Sequence, residues 1–422
     1  METEELPIFS GNMLLPRHRW YEFKEGFSED LVQLAVTEFH EQSGKIPRLL
    51  DPFMGSGTTL ITSGKLGLAA TGIEVNPFIS FSARVKCSSS ANKQDLLVRN
   101  LTAVLADSKN EIPSLLEGVS TFTEARGADK WLFNRSVLRG FTAIDRAITS
   151  RHNVHHPFRL ALISALMDCC NAKRDGKCLR YKSQWEKLGF NSSDLREAFK
   201  RRADIVIEDL VEYRFSANNL SVVKGDSRTK LRQLRAQSYD LVVTSPPYLN
   251  SFDYSDVYRP ETFAGGFVRD NVQLRSIRLK TIRSHVQVAW KADRSEMSSS
   301  VSRLVTKLSR RDLWNKNLPD MVRSYFSDIS SVLSGLWRVV RPNGEVWMVV
   351  ATSAYAGVHV EVDKIVAQLA GDCGWSLRRI ETLRQIRGSG QQWAAIAAGT
   401  QLPLRESLIV LERSASEPVF MH

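Results

Sequence analysis

Short apolar runs alternate with amphipathic stretches near both ends of the chain. Apolar runs at 48–51 and 70–74 flank a helix predicted from about Thr58, which makes a strand, helix and strand unit. Further strand patterns occur in LSVVKGDS and SYDLVVTSPPY, and the tail adds EVWMVVAT and ESLIVLER between helical stretches. The pattern predicts an α/β fold with a doubly wound, mostly parallel sheet that binds a ligand at its strand ends.

Two long segments interrupt this strand pattern. Helix-length amphipathic stretches such as RSVLRGFTAIDRAI fill residues 87–215, and a polar, basic segment fills 256–316. We therefore predict a catalytic sheet domain in three parts, with a helical insertion and a basic insertion that are both candidates for contacting a partner. The three parts are 1–86, 216–255 and 317–422.

Charge adds a candidate partner to this picture. The chain has 422 residues, and 57 Lys and Arg against 46 Asp and Glu give a net charge of +11. A surplus of this size favours a polyanionic partner, of which nucleic acid is the commonest, although a solvated basic surface is the alternative.

The apolar runs and the cysteines further restrict the class of protein. No apolar run is long enough to span a bilayer, and the N-terminus lacks a basic start followed by an apolar core, so we expect no membrane contact and a cytoplasmic location. The five cysteines are odd in number and have no CxxC spacing, which disfavours a disulfide framework and a metal site. We expect reduced, mostly buried thiols.

The turn DPFMGSGTT, residues 51–59, joins the first strand to its helix. Gly55 and Gly57 leave room for a ligand to approach the main chain, and free amide groups at the helix start can bind a carboxylate or phosphate. Glu74 ends the next strand, where a carboxylate can accept both hydroxyls of a ribose. The combination favours a nucleoside-bearing cofactor over a plain tight turn. Asp226, in KGDS, is a further polar group at a strand end, either near an adenine or as a helix cap.

The stretch TSPPY, residues 244–248, completes a known pattern. DPFMGSGTT, GIEVNP, GDS and TSPPY, with the N-terminal PRHRWYEFKEGFSEDL, resemble the S-adenosylmethionine-dependent DNA methyltransferases that modify amino groups. The resemblance implies a Rossmann-like, seven-stranded sheet, S-adenosylmethionine as the cofactor and double-stranded DNA as the partner. It implies that the catalytic residues are Ser245, Pro246, Pro247 and Tyr248. It implies cofactor contacts by Asp51, Phe53, Gly55, Ser56, Gly57, Thr58, Glu74, Asp226, Thr244 and Trp20.

The tetrapeptide at 245–248 suits this chemistry. The amino group of cytosine or adenine is a weak nucleophile because its lone pair is delocalised into the ring. The Ser245 hydroxyl and a carbonyl of Ser245 or Pro246 can accept the amino hydrogens, and the prolines hold these acceptors rigidly. Tyr248 would stack on a base swung out of the duplex. This direct transfer requires no cysteine nucleophile.

The target base follows from the first residue of the tetrapeptide. The family usually pairs a leading Ser with N4 of cytosine and a leading Asp or Asn with N6 of adenine, so N4 of cytosine leads and N6 of adenine is the alternative. Many members with Ser-Pro-Pro-Tyr carry it before the glycine turn, whereas here it follows, and this departure weakens the inference about the base.

Basic residues in the insertions are candidate DNA contacts. In the first insertion they lie among the aromatic residues Tyr181 and Trp185. An ordinary charged helical face is the alternative. The tail stretch RQIRGSGQQW is a further candidate base-reading loop, or else an exposed hairpin. The predicted DNA-binding residues are Lys177, Arg180, Lys182, Arg275, Arg278 and Arg283.

Two other functions stay open at this point. An RNA guanine-N2 methyltransferase shares a similar glycine turn before Pro-Pro-Tyr, but it usually has Asn or Asp where this chain has Ser245. A catalytically silent DNA-binding subunit would typically lose one of the two motifs. A cognate restriction endonuclease or a defence-system protein is a candidate partner, and a monomer or a homodimer is the expected assembly.

Overall fold

The computed structural model describes residues 9–89, 94–119, 121–124, 128–151, 154–175, 178–287, 298–386 and 403–414. The strands in these ranges are β1 (Leu49–Asp51), β2 (Ala70–Glu74), β3 (Ala172–Asp175), β4 (Cys178–Tyr181), β5 (Leu220–Lys224), β6 (Tyr239–Thr244), β7 (Val340–Ala351), β8 (Ser353–Tyr355), β9 (Val358–Val360), β10 (Trp375–Ile386) and β11 (Leu404–Arg413). The helices are α1 (Glu29–Ser43), α2 (Thr58–Lys65), α3 (Pro77–Lys86), α4 (Gln94–Asp107), α5 (Arg135–Thr149), α6 (His155–Asp168), α7 (Ser192–Glu212), α8 (Ser227–Gln233), α9 (Tyr254–Val257), α10 (Arg259–Ala264), α11 (Asn271–Arg278), α12 (Ser299–Ser309), α13 (Leu318–Val339) and α14 (Val362–Asp372). Across these described residues, no helix combines the length and the apolar character needed to cross a membrane.

One sheet of seven strands organises the molecule, in the order β5, β2, β1, β6, β7, β11, β10. The first five strands are parallel, and β11 lies antiparallel to both of its neighbours. The prediction of a mostly parallel, seven-stranded α/β sheet is confirmed. Because β1 lies between β2 and β6, the carboxyl ends of these three strands meet at one edge, where ligands bind in such sheets.

Helices cover both faces of this sheet. Successive side chains of a strand point to opposite faces, so Leu49 and Leu241 pack in a core with α1 and α2. Leu50 and Val242, one residue further along, pack in a second core with α13 and α14. The central strands are buried on both sides, and the doubly wound arrangement is the one expected for near-continuous apolar strands.

The segment between β2 and β5 forms a third core. Helices α4 to α7 pack against the N-terminal segment around Trp20 and against α3. This region also holds the antiparallel hairpin β3–β4, which the sequence did not predict, because its strands AKRD and CLRY are only four residues long and contain no run of apolar residues. The second interruption, between β6 and β7, contains α9 to α12. The domain boundaries given above stay a prediction.

Strand β10 was also missing from the predicted elements. Its pairing with β11 shifts register between Leu377 and Arg379 and again between Thr382 and Arg384. These irregularities break the alternation of apolar and polar positions that identifies a strand in a sequence. Arg384 was predicted to lie in a loop, but it lies in the edge strand β10. Arg387, Gln391 and Gln392, which follow it, lie outside the described residues.

Candidate active site

The buried carboxylate of Asp51 ties the end of β1 to its surroundings. One oxygen accepts hydrogen bonds from the Phe53 amide at 3.0 Å and from the Thr244 hydroxyl at 2.7 Å. The other accepts from the Thr59 hydroxyl at 2.8 Å. Burial raises the pKa of Asp51 to about 6, although these three hydrogen bonds oppose the rise. The carboxylate thereby joins β1, α2 and β6 at a single point.

The glycine turn brings the main chain close to the N-terminal segment. Gly55 has φ of +51°, and a Cβ at this position would lie 2.7 Å from Cε1 of Phe23. Glycine is therefore required both by the backbone conformation and by the neighbouring ring. Gly57, with φ of +97°, is the residue that precedes α2. The Phe23 ring therefore packs directly against the main chain of the turn.

Glu74 places a carboxylate at the end of β2, beside this turn. Its Oε1 accepts a hydrogen bond from the Asn76 amide at 2.7 Å. Burial, reinforced by the negative charge of Asp51, raises the pKa of Glu74 to about 7. At the end of β5, the Asp226 side chain accepts from the Arg228 amide at 3.0 Å and caps α8. Ser227 donates to the carbonyl of Pro52 and so holds α8 against the glycine turn.

The tetrapeptide follows β6 and is held by the neighbouring strands. The Ser245 hydroxyl donates to the Val349 carbonyl of β7 at 3.2 Å. The Tyr248 hydroxyl donates to Glu406 Oε1 of β11 at 2.6 Å. Burial, followed by the negative charge of Glu406, raises the pKa of Tyr248 well above its usual value. The phenol therefore keeps its proton and acts as a donor.

The glycine turn and the tetrapeptide face one cavity of about 410 Å³. Its walls come from several segments that are distant in the chain. Phe53, Gly55, Glu74 and Asp226 line the cavity, and so do the residues from Ser245 to Tyr248. A molecule held at Glu74 and a molecule held at Ser245 would therefore share one cavity.

The structure divides the predicted cofactor residues into two groups. Phe53, Gly55, Glu74 and Asp226 line the cavity. The other six are buried and do not occur among the described residues that line it; they are Asp51, Ser56, Gly57, Thr58, Thr244 and Trp20. Asp51 and Thr244 bind each other. Trp20 donates from Nε1 to Asp209 at 2.7 Å, which fixes the N-terminal segment to α7, and its cofactor contact stays a prediction.

The N-terminal segment nevertheless contributes to the cavity, through residues that the sequence did not single out. Phe23, Lys24, Glu25 and Gly26 all line it. The Phe23 ring stacks on Tyr258 at a centroid distance of 5.5 Å, and Tyr258 is itself a lining residue. The aromatic residues of WYEF were a signal for this wall, but not for which of them faces inward.

The predicted DNA-binding residues differ in their exposure and in the ion pairs that they form. Arg180 and Arg275 are exposed, and Lys182 lies 5.1 Å from the centre of the Phe190 ring. Arg278 pairs with the buried Asp253 at 2.7 Å, and Arg283 pairs with the buried Asp328 at 2.8 Å, so both form internal ion pairs. Lys177 lies outside the described residues.

The cysteines take no part in this cavity. All five are free thiols, of which Cys87, Cys169 and Cys170 are buried. Burial raises the pKa of Cys87 to about 12, so its thiol stays protonated at neutral pH. None of the described residues that line the cavity is a cysteine. The site therefore offers hydroxyl, carbonyl and carboxylate acceptors, and no thiolate nucleophile.

Known proteins share much of the length of this chain. It is 26% identical to the type II methyltransferase M.AvaI of Nostoc sp., over 92% of this chain and 85% of that protein. It is 25% identical to the type II methyltransferase M.BsoBI of Geobacillus stearothermophilus, over 98% of this chain and 89% of that protein. It is 20% identical to the type II methyltransferase M.MvaI of Kocuria varians, over 83% of this chain and 80% of that protein. No protein-family model matches the chain.

The Gly55→Ala substitution tests the close contact at the glycine turn. Gly67 provides a matched control, because it has φ of +72° and a Cβ there would meet nothing within 4 Å. We expect Gly67→Ala to lower the free energy of unfolding by about 1 kcal/mol, the cost of the left-handed backbone. Gly55→Ala should lower it by about 3 kcal/mol, because the collision with Phe23 is added.

Urea unfolding followed by tryptophan fluorescence measures both changes. Equal losses in the two variants would contradict the contact between Gly55 and Phe23.

Proposed function

Because the chain belongs to the DNA methyltransferase family, we propose that it transfers a methyl group from S-adenosylmethionine to an exocyclic amino nitrogen in double-stranded DNA. N4 of cytosine is the leading target, and N6 of adenine is the alternative. One observation carries the proposal. The 2.7 Å hydrogen bond between Thr244 and Asp51 sets the tips of β1 and β6 side by side, and both open into one cavity.

The lining residues at or just after the ends of β1, β2 and β5 fit the methyl donor. Glu74 ends its strand with a carboxylate in the cavity, which suits the two hydroxyls of a ribose. The turn at Gly55 has no side chain, and Phe53 offers an apolar surface beside it. When bound, S-adenosylmethionine supplies an electrophilic methyl group on a sulfonium. These residues bind and orient the donor and take no part in bond making.

The lining residues that follow β6 fit the amino group of the target base. The Ser245 hydroxyl donates its proton to the Val349 carbonyl, so its lone pairs are directed away from that bond and can accept an amino hydrogen. Accepting this hydrogen localises the nitrogen lone pair for attack. Pro246 and Pro247 fix the backbone on either side, and the Tyr248 ring provides a surface for the flipped base. A cavity wall without cysteine supports transfer to nitrogen rather than to a ring carbon.

We propose that the hairpin β3–β4 contacts the DNA backbone. Lys173 of β3 lies directly opposite Arg180 of β4, and both side chains are exposed. Arg180 pairs with Asp175 at 2.8 Å, which offsets part of the repulsion between these like charges. A row of phosphates would neutralise the rest. Lys182 lies just beyond the same hairpin, and Arg275 lies on α11, whose Ile277 lines the cavity. These residues are the proposed phosphate ligands.

The setting of this activity is also a proposal. We propose that the protein acts in the cytoplasm and protects DNA from a restriction endonuclease with the same recognition sequence. The type II names of its relatives support this pairing. A monomer or a homodimer suffices for it.

The first test is nucleoside mass spectrometry of DNA treated with the purified protein and S-adenosylmethionine. Duplexes that together contain all short recognition sequences should yield N4-methylcytosine. Ser245→Ala should lower kcat by about 100-fold or more, the typical loss on removing one such polar contact. Cofactor affinity, measured by calorimetry, should stay unchanged.

Ser376→Ala, at an exposed position of β10, is the control and should keep full activity. N6-methyladenine would select the alternative base. Formation of 5-methylcytosine alone, activity on transfer RNA alone, or failure to bind the cofactor would refute the proposal.

The second test concerns pH. The ionised Glu74 carboxylate offers more hydrogen-bond acceptors to ribose hydroxyls than the protonated carboxyl does. Burial raises the pKa of Glu74 to about 7. We expect cofactor affinity to rise with pH up to about 7 and to fall by up to about tenfold per unit below it. Glu74→Gln should bind more weakly, and its affinity should vary less between pH 6 and pH 8.

Stability without cofactor should respond in the opposite direction. Because the folded pKa is raised from 4.5 to about 7, the contribution of Glu74 is fully present below 4.5 and is lost as the pH rises through about 7. Isothermal titration calorimetry and urea unfolding over this range measure the two effects. A wild-type affinity with the same pH profile as Glu74→Gln would contradict the role of Glu74.

The third test removes one charge from the hairpin. Lys173→Ala removes the charge opposite Arg180, which keeps its ion pair with Asp175, so stability should change little. The slope of log affinity for duplex DNA against log salt should fall by about 0.9, the value for one lost phosphate contact. Fluorescence anisotropy with a labelled duplex measures this slope.

Lys45→Ala is the matched control, because Lys45 is exposed just before β1, at the opposite edge of the sheet. Its salt slope should equal that of the wild type. An unchanged slope in Lys173→Ala would exclude the hairpin as a backbone contact.

A further inference from the structure

The ring of Tyr248 is anchored by two charged residues from the end of the chain. Its hydroxyl donates to Glu406 Oε1 at 2.6 Å, across 158 positions of sequence. Arg384 Nε donates to Glu406 Oε2 at 2.7 Å, and Arg384 Nη2 lies 3.3 Å from Oε1. All three side chains line the cavity. A phenol, a carboxylate and a guanidinium thus form a continuous chain along its wall.

The sheet is built to bring these groups together. Glu406 lies opposite Ala351 of β7 on one side and opposite Arg384 of β10 on the other. The register shift between Thr382 and Arg384 immediately precedes this pair. Such a bulge redirects the side chain that follows it. The irregular edge strand therefore places its guanidinium at the cavity, where it holds the carboxylate that holds the phenol.

The electrostatics favour a fixed arrangement. Burial and the charge of Glu406 raise the pKa of Tyr248, so the phenol stays a donor. The hydrogen bond to Glu406 raises the pKa of Arg384, so the guanidinium stays charged. A hydrogen bond to a charged acceptor is shorter and stronger than a neutral one. The Tyr248 ring is thereby fixed at both ends, by its backbone and by its hydroxyl.

We propose that Glu406 and Arg384 are positioning residues that hold the Tyr248 ring in the orientation against which the target base stacks. The proposal rests on the proposed function, because it assumes that a flipped base enters the cavity. The plane of the ring sets the plane of the base, and the plane of the base sets where its amino nitrogen lies relative to Ser245. Small displacements of a reacting atom reduce rates strongly.

A double-mutant cycle between Tyr248 and Glu406 tests this role. Tyr248→Phe and Glu406→Ala each remove the same hydrogen bond and keep an aromatic ring at position 248. We expect each variant to lower kcat by about 10- to 100-fold with cofactor affinity unchanged. The double variant should be no slower than the slower single variant, because the second change has no bond left to remove. Glu406→Gln should recover much of the rate, since its amide oxygen still accepts from the phenol.

Two spectroscopic measurements follow the ring and the base separately. A 3-fluorotyrosine incorporated at position 248 should show a shifted or broadened fluorine resonance in Glu406→Ala, whether or not the protein methylates DNA. A duplex with 2-aminopurine at the target position should show altered fluorescence in Tyr248→Phe and Glu406→Ala. Glu412→Ala is the control, because Glu412 lies on the same strand outside the cavity and should change neither signal.

The outcomes separate the two proposals. A wild-type protein that modifies no base would refute the proposed function, while the fluorine resonance would still decide whether Glu406 fixes the ring. An unchanged resonance in Glu406→Ala, or full activity of Tyr248→Phe, would overturn the positioning role. Additive losses in the double variant would also overturn it, because Glu406 would then act on the base by itself.

Discussion

The hydrogen bonds of the buried Asp51 carboxylate are the constraint on which the cavity depends. They join the glycine turn, the first residues of α2 and the end of β6. Removing one partner of a buried polar group costs about 1–3 kcal/mol, and more where a charge is left. The junction therefore keeps the end of β1 and the end of β6 at a fixed separation. The proposed direct transfer between two bound molecules would need this, because no covalent intermediate would hold the methyl group between them.

The residues nearest to this junction were the most predictable ones. The glycine turn, Glu74 and the tetrapeptide are each a short stretch at the end of an apolar run, and adjacent parallel strands bring such ends to one edge. The sequence thus indicates which residues reach the edge. It does not indicate where each side chain turns. Asp51 and Thr244 turn toward each other, while Glu74 turns into the cavity.

Features that depend on distant pairing were not predictable from local patterns. Strand β10 carries two register shifts in its pairing with β11, so its apolar residues do not alternate along the sequence. The contact of Tyr248 with Glu406 requires the order of β6, β7 and β11 in the sheet as well as their register. Trp20 shows the same limit, because its partner Asp209 lies on a helix in the first insertion. Each of these contacts joins segments that no single window of sequence contains.

The net charge of +11 does not by itself describe a DNA-binding surface, because some basic residues are exposed and others face inward. In β3, Lys173 is exposed, whereas its neighbour Arg174 turns inward. Arg174 forms an ion pair with the buried Glu261, donates to the Tyr21 hydroxyl at 2.6 Å, and lies 4.5 Å from the centre of the Tyr258 ring. Because Tyr258 lines the cavity, the inward arginine fastens the hairpin to the cavity wall while the outward lysine stays available for a phosphate. Alternation along a strand therefore gives adjacent basic residues different roles. A count of lysines and arginines along the sequence cannot separate those roles, since the separation arises from which face of the hairpin each residue occupies.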